Sequence, residues 1–315
     1  MYDVIIIGSG PAGFTAGIYA ARREMKALII GKEAGGQLIW ASEIENYPGF
    51  KKIQNFELIN NMREQVGGLG VEIKNTEVKE IKKSEDWFIL KTEKEEFKTK
   101  TVIIAMGLSP RRLAIRGEDK LTGKGISYCA NCDGPFYKEK TVAVIGGGNS
   151  ALDAAEVLSK IAKKVYLVHR RKEFRGFEAL IEEVKAKENI ELVLDSEVIE
   201  IMGEEKLEKI KVKNLKDNTE KEINLDGLFI EVGRIAHTDL VGDLVKRDKK
   251  SQIIIDTKGQ TSTPGIFAAG DVTQTEFKQI TIACGQATIA ALSAYQYLQL
   301  KQSKGAKPVL DRSVK

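Results

Sequence analysis

The stretch Val4-Ile-Ile-Ile-Gly-Ser-Gly-Pro-Ala-Gly13 joins an apolar run to a Gly-x-Gly-x-x-Gly turn at the start of the chain. A segment of helical length follows, and then a second apolar run, Lys26-Ala-Leu-Ile-Ile-Gly31. This order predicts a buried strand, a helix and a second strand, that is, one β-α-β unit. In such a unit the first glycine permits a tight turn, the second lets the backbone approach a pyrophosphate, and the third lets the helix pack on the strand. The helix N-terminus then favours the diphosphate charge.

The same unit occurs a second time. Val142-Ala-Val-Ile-Gly-Gly-Gly-Asn-Ser-Ala151 repeats the opening pattern 138 positions later, and Lys164-Val-Tyr-Leu-Val-His169 matches the second apolar run at the same interval. Two complete units in one register are far more specific than two isolated glycine motifs. We therefore expect an α/β fold with two Rossmann-like, three-layer ββα dinucleotide-binding domains.

A further segment follows each unit and is also repeated. Residues from about 70 to 105 alternate apolar and polar side chains, beginning with Val71-Glu-Ile, which predicts an antiparallel β-insertion. The passage from Glu191-Leu-Val-Leu to Gly227-Leu-Phe-Ile predicts the same insertion in the second copy. The remaining chain begins no third unit but ends in a predicted helix over about 279–300, so we expect it to complete one of the first two.

The domains are therefore predicted to be nested. Residues 1–112 and 244–315 would form one discontinuous domain, and residues 113–243 would be inserted into it. Pro110-Arg-Arg and Val232–Asp243 are the expected hinge segments. Residues 301–315 are polar and contain Gly305 and Pro308, so we expect a frayed end.

Composition excludes several classes of protein. The 315 residues carry 49 basic and 45 acidic side chains, a net charge of +4 spread along the chain, so a nucleic-acid-binding protein is not expected. No stretch approaches the roughly 18 apolar residues of a membrane-spanning helix. The chain runs from Met1 straight into a strand without a basic leader, so we expect a cytoplasmic protein that binds neither membrane nor nucleic acid.

The two glycine loops predict different nucleotides. Glu33 lies 20 residues after Gly13, where a carboxylate binds a ribose hydroxyl in many such units, although a plain surface glutamate is the alternative. No acid follows the second copy, where Arg170, Arg171 and Arg175 stand instead. Guanidinium groups bind a 2′-phosphate in bidentate fashion, so the second loop is predicted to prefer NADPH over NADH. A solvated basic turn is the alternative.

Two of the three cysteines form the motif Cys129-Ala-Asn-Cys132. A metal site is one interpretation, but it needs about four ligands and only Cys284 and two histidines remain, so no metal is expected. An inert buried pair and a thioredoxin-fold active site are two others. The favoured interpretation is a redox-active dithiol beside a flavin. Asp133 follows directly and would protonate a leaving thiolate, unless it is a simple turn residue. Cys284 lies in an apolar helical run and is expected in the core.

Together these motifs resemble the low-molecular-weight thioredoxin reductases over residues 2 to about 300. The resemblance is carried by the following stretches: Gly8-Ser-Gly-Pro-Ala-Gly13, Gly35-Gly-Gln-Leu38, Glu45-Asn-Tyr-Pro-Gly49, Cys129-Ala-Asn-Cys-Asp-Gly134, Gly146-Gly-Gly-Asn149, His169-Arg-Arg171 with Arg175, and Gly265-Ile-Phe-Ala-Ala-Gly-Asp271. It implies FAD in the discontinuous domain, NADPH and the dithiol in the inserted one, a homodimer, and a rotation between domains. It also implies that Cys132 faces the flavin and Cys129 attacks the partner disulfide.

The resemblance and the motifs together assign cofactor contacts residue by residue. The expected FAD residues are Gly8, Gly10, Pro11, Ala12, Gly13, Glu33, Gly35, Gly36, Gln37, Asn46, Val78, Gly107, Gly270, Asp271, Lys278, Gln279 and Ile280. The expected NADPH residues are Gly146, Gly148, Asn149, Ser150, His169, Arg170, Arg171 and Arg175.

Several positions depart from the family pattern. Lys278 replaces the frequent Arg of an Arg-Gln-Ala segment and, with Asn149, resembles the flavoprotein of alkyl hydroperoxide reductase. Arg234-Ile-Ala replaces a common His-x-Pro, and Met106 replaces a threonine. The predicted enzyme passes electrons from NADPH through FAD and Cys129–Cys132 to thioredoxin or a thioredoxin-like protein. The alternatives are a reductase serving a peroxiredoxin through a glutaredoxin-like carrier, and a non-catalytic redox sensor.

Overall fold

The computed structural model describes residues 1–40 and 43–302. The elements up to the first crossing between domains are β1 (Tyr2–Ile7), α1 (Pro11–Arg22), β2 (Ala27–Ile30), β3 (Glu43–Ile44), β4 (Ile53–Gln54), α2 (Asn55–Gly68), β5 (Glu72–Lys74), β6 (Glu80–Lys83), β7 (Phe88–Lys91), β8 (Glu96–Ile104) and β9 (Ser109–Pro110). The inserted part contains α3 (Glu118–Leu121), β10 (Ile126–Ser127), α4 (Ala130–Asp133), β11 (Thr141–Ile145), α5 (Asn149–Ser159), β12 (Lys164–Val168), α6 (Glu178–Lys185), β13 (Ile190–Val193), β14 (Ser196–Met202), β15 (Lys209–Asn214), β16 (Glu220–Asn224) and β17 (Gly227–Ile230). The last elements are β18 (Arg234–Ile235), β19 (Ile266–Ala268) and α7 (Ile280–Gln302), with short 3-10 helices at Gly36–Trp40, Gly134–Tyr137 and Asp239–Val241.

Two parallel sheets form the two domains. The first has strand order β5-β2-β1-β8-β7-β6 with β19 also paired to β8, and the second has order β10-β17-β11-β12-β13. In each sheet the strand before the glycine loop pairs in parallel with the strand after the helix, at Val4 with Ala27 and at Val142 with Val165. The predicted repeat is therefore present as two β-α-β units, and the second is inserted into the first.

The antiparallel prediction was correct only in part. Strands β6, β7 and β8 are antiparallel, and so are β14, β15 and β16. The beginnings of both passages were wrongly assigned, because β5 pairs in parallel with β2 and β13 pairs in parallel with β12. Both strands lie at sheet edges, where half-exposed side chains give the same alternation as an antiparallel strand.

The two copies also differ in how the antiparallel strands are attached. In the first domain β8 continues from the antiparallel part into the parallel sheet, pairing first with β7 and then with β1. In the second domain β14–β16 form a separate three-stranded sheet, and β17 enters the parallel sheet as a new strand. The insertion is thus repeated in sequence but not in connectivity.

The last part of the chain completes the first domain, as predicted. Strand β19 pairs with β8, and α7 packs along α1 with a line of buried alanines, among them Ala287, Ala290 and Ala294. Small side chains let the two helix backbones approach closely. Residues 301 and 302 of the tail predicted to be frayed (301–315) form the end of α7, and residues 303–315 lie outside the described residues. The exact domain limits at 112/113 and 243/244 stay a prediction.

The chain crosses between the domains at two adjacent places. Strand β9 leaves the first domain and β18 returns to it, and the two pair antiparallel at Pro110 with Arg234 and Ser109 with Ile235. The Arg111 amide donates a further hydrogen bond of 2.8 Å to the Gly233 carbonyl. These are the segments predicted as hinges. Within the described ranges, no helix has the length and apolar character needed to cross a membrane.

The glycines of the first loop predict a test of the fold. A Cβ on Gly13 would lie 1.8 Å from the Gly8 carbonyl oxygen, so Gly13→Ala must push α1 away from β1. We expect it to cost about 3 kcal/mol of unfolding free energy. Gly67→Ala, in α2 with no atom near the added Cβ, is the matched control and should stabilise by up to about 1 kcal/mol. Urea unfolding followed by circular dichroism measures both; equal stabilities would contradict the close packing.

Candidate functional site

The carboxyl ends of the first parallel sheet border a cavity of about 590 Å³. Its walls come from the loop between β1 and α1, the residues after β2, the residues after β8 and the start of α7. This is the edge at which open parallel sheets bind ligands. The cavity is long and mainly apolar, with a few polar side chains, which is typical of a cofactor site.

Most of the residues expected to bind FAD line this cavity. They are Gly8, Gly10, Pro11, Ala12, Glu33, Gly36, Gln37, Asn46, Val78, Gly107, Asp271, Lys278, Gln279 and Ile280. The other three predicted FAD residues do not line the cavity but support residues around it. Gly13 packs on the Gly8 carbonyl, the Gly35 amide donates to the Ser9 carbonyl at 2.7 Å, and the Gly270 amide donates to the Gln286 side chain at 2.9 Å.

The narrowest part of the cavity is formed by backbone alone. Gly10 and Gly36 face each other, and a Cβ on Gly36 would lie 3.4 Å from the Gly10 Cα. Side chains at either position would fill this gap. Because Gly10 also precedes the N-terminus of α1, free N–H groups face the same space. The gap therefore suits the pyrophosphate of a dinucleotide such as FAD.

The second domain contributes the redox pair to the same cavity. Cys129 and Cys132 form a disulfide, and both line the cavity together with Asp133. Cys129 precedes the single-turn helix α4, and its amide donates to the Ser127 hydroxyl at 3.0 Å. The inserted domain thus places its disulfide at the wall of the first domain's ligand cavity. No three potential metal ligands come together anywhere in residues 1–40 and 43–302.

Two half-buried acids lie beside the disulfide. Burial raises the pKa of Asp133, whose Oδ1 has no hydrogen-bond partner among the described residues. Glu231, which directly follows β17, is a residue beside the disulfide that the sequence did not reveal. Burial raises its pKa to about 7, against the lowering effects of Arg234 and of the Ala130 amide. Burial therefore favours the protonated form of the Asp133 carboxyl beside the dithiol, which is the direction that its predicted role requires.

A group of half-buried polar side chains forms another part of the cavity wall. The Gln37 amide donates to the Asp271 carboxylate at 2.9 Å, and the Lys278 ammonium donates to the carbonyls of Asp271 and Thr273 at 2.9 and 2.7 Å. Burial raises the pKa of Asp271 and lowers that of Lys278 to about 8. Arg234 adds positive charge, which opposes the rise at Asp271.

The second glycine loop lies apart from this cavity. None of the eight residues predicted for NADPH lines it. Arg170, Arg171 and Arg175 are exposed, and the Arg175 amide donates to the Gly147 carbonyl at 2.7 Å, so this arginine is held against the loop. His169 differs from them. Its ring is buried beneath Gly147 and its Nε2 lies 3.1 Å from the Glu173 carbonyl, so it shapes the loop from below.

The lining residues that were not predicted include four that lie close to the disulfide or the crossings in the chain: Ser127, Tyr128, Arg234 and His237. Only Arg234 had been noted, as a departure from a family pattern. All four lie in or next to the two crossings or the cysteine motif, where no periodic pattern marks a contact. Cys284 is a free, half-buried thiol in α7, packed on the core with its Sγ 3.9 Å from the Pro11 carbonyl. Burial raises the pKa of that thiol.

Comparison with known proteins agrees with this geometry. The sequence model of the pyridine nucleotide-disulphide oxidoreductase family matches residues 2–287 of this chain. The chain belongs to that family. A thioredoxin reductase of Borreliella burgdorferi is 40% identical over 94% of this chain and 92% of its own length. The crystal structure of thioredoxin reductase from Streptococcus pyogenes superposes with a TM-score of 0.90 at 41% identity, covering 95% of this chain and 98% of that one.

A second thioredoxin reductase structure, from Lactococcus lactis in its FR conformation, is 42% identical and covers 95% of this chain and 99% of that one. Its TM-score is only 0.68. Since identity and coverage match those of the streptococcal protein, sequence divergence does not explain the lower score.

The family match and these relatives together identify the chain as an oxidoreductase of the thioredoxin reductase type, a group that uses FAD and NADPH.

The buried Asp133 carboxyl predicts a pH effect on stability. Its raised pKa means that the folded state keeps the proton longer than the unfolded chain as pH rises from about 4. Stability from this group is present at low pH and is lost as pH rises through the raised pKa. Asp133→Asn should therefore gain stability relative to the parent with rising pH. Urea midpoints between about pH 4 and pH 8 measure this, with exposed Asp243→Asn as charge-matched control. Parallel curves for parent and Asp133→Asn would contradict it.

Proposed function

We propose that the chain is a flavoprotein disulfide reductase that passes electrons from NADPH through FAD to Cys129–Cys132 and then to thioredoxin. The observation that carries this proposal is the disulfide of the second domain lining the dinucleotide cavity of the first. FAD would occupy the domain of residues 1–112 and 244–315, and NADPH the domain of residues 113–243.

The contacts of the first cavity support this assignment. Gly10 and Gly36 leave room for the pyrophosphate, while Glu33 stands exposed on the wall where it can accept a ribose hydroxyl. Asp271 and Lys278 provide charged groups where the cavity reaches the disulfide. When bound, FAD accepts an electron pair from NADPH and delivers it to a disulfide.

The dithiol chemistry follows from the positions of three side chains. Reduction of the disulfide takes up two electrons and two protons and gives two thiols. Asp133, whose pKa is raised by burial, is placed to donate a proton to a cysteine sulfur in this step and to take it back when the thiolate forms. The Cys129 thiolate attacks the partner's disulfide and releases one partner thiol. Cys132 then attacks the Cys129 sulfur, releases the second thiol and restores the Cys129–Cys132 disulfide. One disulfide is reduced for each one formed.

These steps require two arrangements of the domains. In the structure both cysteines line the cavity, whereas the second glycine loop, where NADPH would bind, does not. A rotation of the second domain about β9 and β18 would move the disulfide out of the cavity and bring the second glycine loop to it. Two thioredoxin reductase structures of nearly equal identity to this chain superpose on it with TM-scores of 0.90 and 0.68, and this difference supports such a rotation.

Turnover with cysteine variants tests the proposal. Cys132→Ser and Cys129→Ser should each lower thioredoxin reduction by NADPH by about a thousandfold or more, because no disulfide can be restored. Bound FAD should still be reduced by NADPH in both. Cys284→Ser, which lies outside the dithiol, is the matched control and should retain parental turnover. Parental thioredoxin reduction by Cys132→Ser would contradict the mechanism.

The same assay distinguishes the other functions. If the parent reduces a glutaredoxin-like carrier much faster than thioredoxin, the reductase would serve a peroxiredoxin system. If the parent reduces neither thioredoxin nor the glutaredoxin-like carrier with NADPH, the non-catalytic sensor is favoured.

Nucleotide choice is tested at the exposed arginines. Replacing Arg170 and Arg171 by Gln should lower kcat/KM for NADPH about a hundredfold, because two charge-assisted contacts to the 2′-phosphate are lost. The value for NADH should change little. Lys163→Gln, an exposed cation at the opposite end of β12, is the control. A parent that prefers NADH, or an equal loss for both nucleotides, would contradict the assignment.

A further inference from the structure

Arg234 makes a two-sided contact at the boundary between the domains. One guanidinium nitrogen donates to the Gln37 side-chain oxygen at 2.9 Å, and the other donates to the Tyr128 carbonyl at 3.3 Å. Gln37 belongs to the first domain, and Tyr128 directly precedes Cys129 in the second. A planar guanidinium is suited to such a bridge because its donors diverge in a fixed fork.

The bridge is firmly supported on both sides. In the first domain, Gln37 uses its amide nitrogen to bind the Asp271 carboxylate, so its oxygen is turned toward Arg234. In the second, the Tyr128 hydroxyl donates to the buried Glu118 carboxylate at 2.8 Å. Glu118 also accepts the amides of Leu113 and Ala114, just beyond the first crossing.

Arg234 lies on the hinge itself, so its contact with both domains bears on how the domains can turn. It lies in β18, paired with Pro110 of β9, so its backbone stays at the axis while its side chain reaches both domains. A contact between Lys52 and the ring of Phe136 also crosses the boundary; it is 5.6 Å long and lies at the surface. The Arg234 contact is shorter than that one, half-buried, and adjacent to the cysteines.

We propose that Arg234 is a positioning residue that holds the Cys129–Cys132 pair against the cavity by bridging Gln37 and Tyr128. Any turn that carries Tyr128 away from Gln37 must break at least one of these hydrogen bonds. Arg234 therefore sets the balance between the arrangement seen here and a turned one. The role of that balance in turnover rests on the proposed function, but the bridge itself does not.

Accessibility of the dithiol tests the proposal without any turnover. The holoenzyme is reduced with a phosphine and treated with iodoacetamide, and the alkylation rates of Cys129 and Cys132 are followed by mass spectrometry. Arg234→Gln should raise these rates about tenfold, since two hydrogen bonds from a cation are lost. Half-buried Cys284 is the internal reference, whose rate should not change. Arg111→Gln, an exposed cation at the same hinge whose backbone hydrogen bond is kept, is the matched control and should behave as the parent.

Two further measurements keep the proposal testable. Arg234→Lys keeps the charge but cannot span both acceptors, so it should give an intermediate rate and carries the test if Arg234→Gln does not fold. In rapid mixing, reduction of bound FAD by NADPH should be faster in Arg234→Gln than in the parent. Alkylation rates within twofold of the parent in both Arg234 variants would overturn the bridge. Altered alkylation in an enzyme that reduces no thioredoxin would overturn the proposed function and leave the bridge standing.

Discussion

The site depends on the pairing of the two crossings between the domains. Because β9 and β18 lie side by side, the second domain is joined to the first along one short ladder rather than at two separate points. That ladder brings α4 and its disulfide to the wall of the first cavity. In the proposed mechanism the same ladder is the axis about which the second domain turns. The pairing of β9 with β18 would then account both for the placement of the disulfide and for its release to a partner.

Charge inside the cavity follows from this meeting of domains. Asp271 and Lys278 come from the first domain, Asp133 from the second, and Arg234 from the crossing between them. Glu231 does not line the cavity but lies close enough to the Ala130 amide and to Arg234 for both to lower its pKa. Burial shifts the pKa of each of the three acids upward, and it shifts the pKa of the lysine downward. The shifts bring the pKa of Glu231 to about 7 and that of Lys278 to about 8, so these two groups titrate closer to neutral pH than they would in water.

Local patterns were sufficient to predict the two β-α-β units and a set of residues most of which line the first cavity. Gly8 and Gly146 marked the loops because only glycine fits the close approach of strand, helix and ligand. The same patterns failed for β5 and β13, since half-exposed edge strands alternate like antiparallel ones. Arg234, Tyr128 and Glu231 were not predicted as site residues, because their importance comes from the packing of one domain on the other. Spacing along the chain carries no information about that packing.

The central claim is that the disulfide exchanges electrons with FAD held in the cavity that it lines. Anaerobic titration of the holoenzyme with dithionite, followed by flavin absorbance and thiol content, measures this directly. The account predicts that the parent takes up two electron pairs per FAD, one at the flavin and one at Cys129–Cys132, whereas Cys129→Ser takes up only one. Complete reduction of the parent flavin by a single pair, with the disulfide still intact, would contradict it.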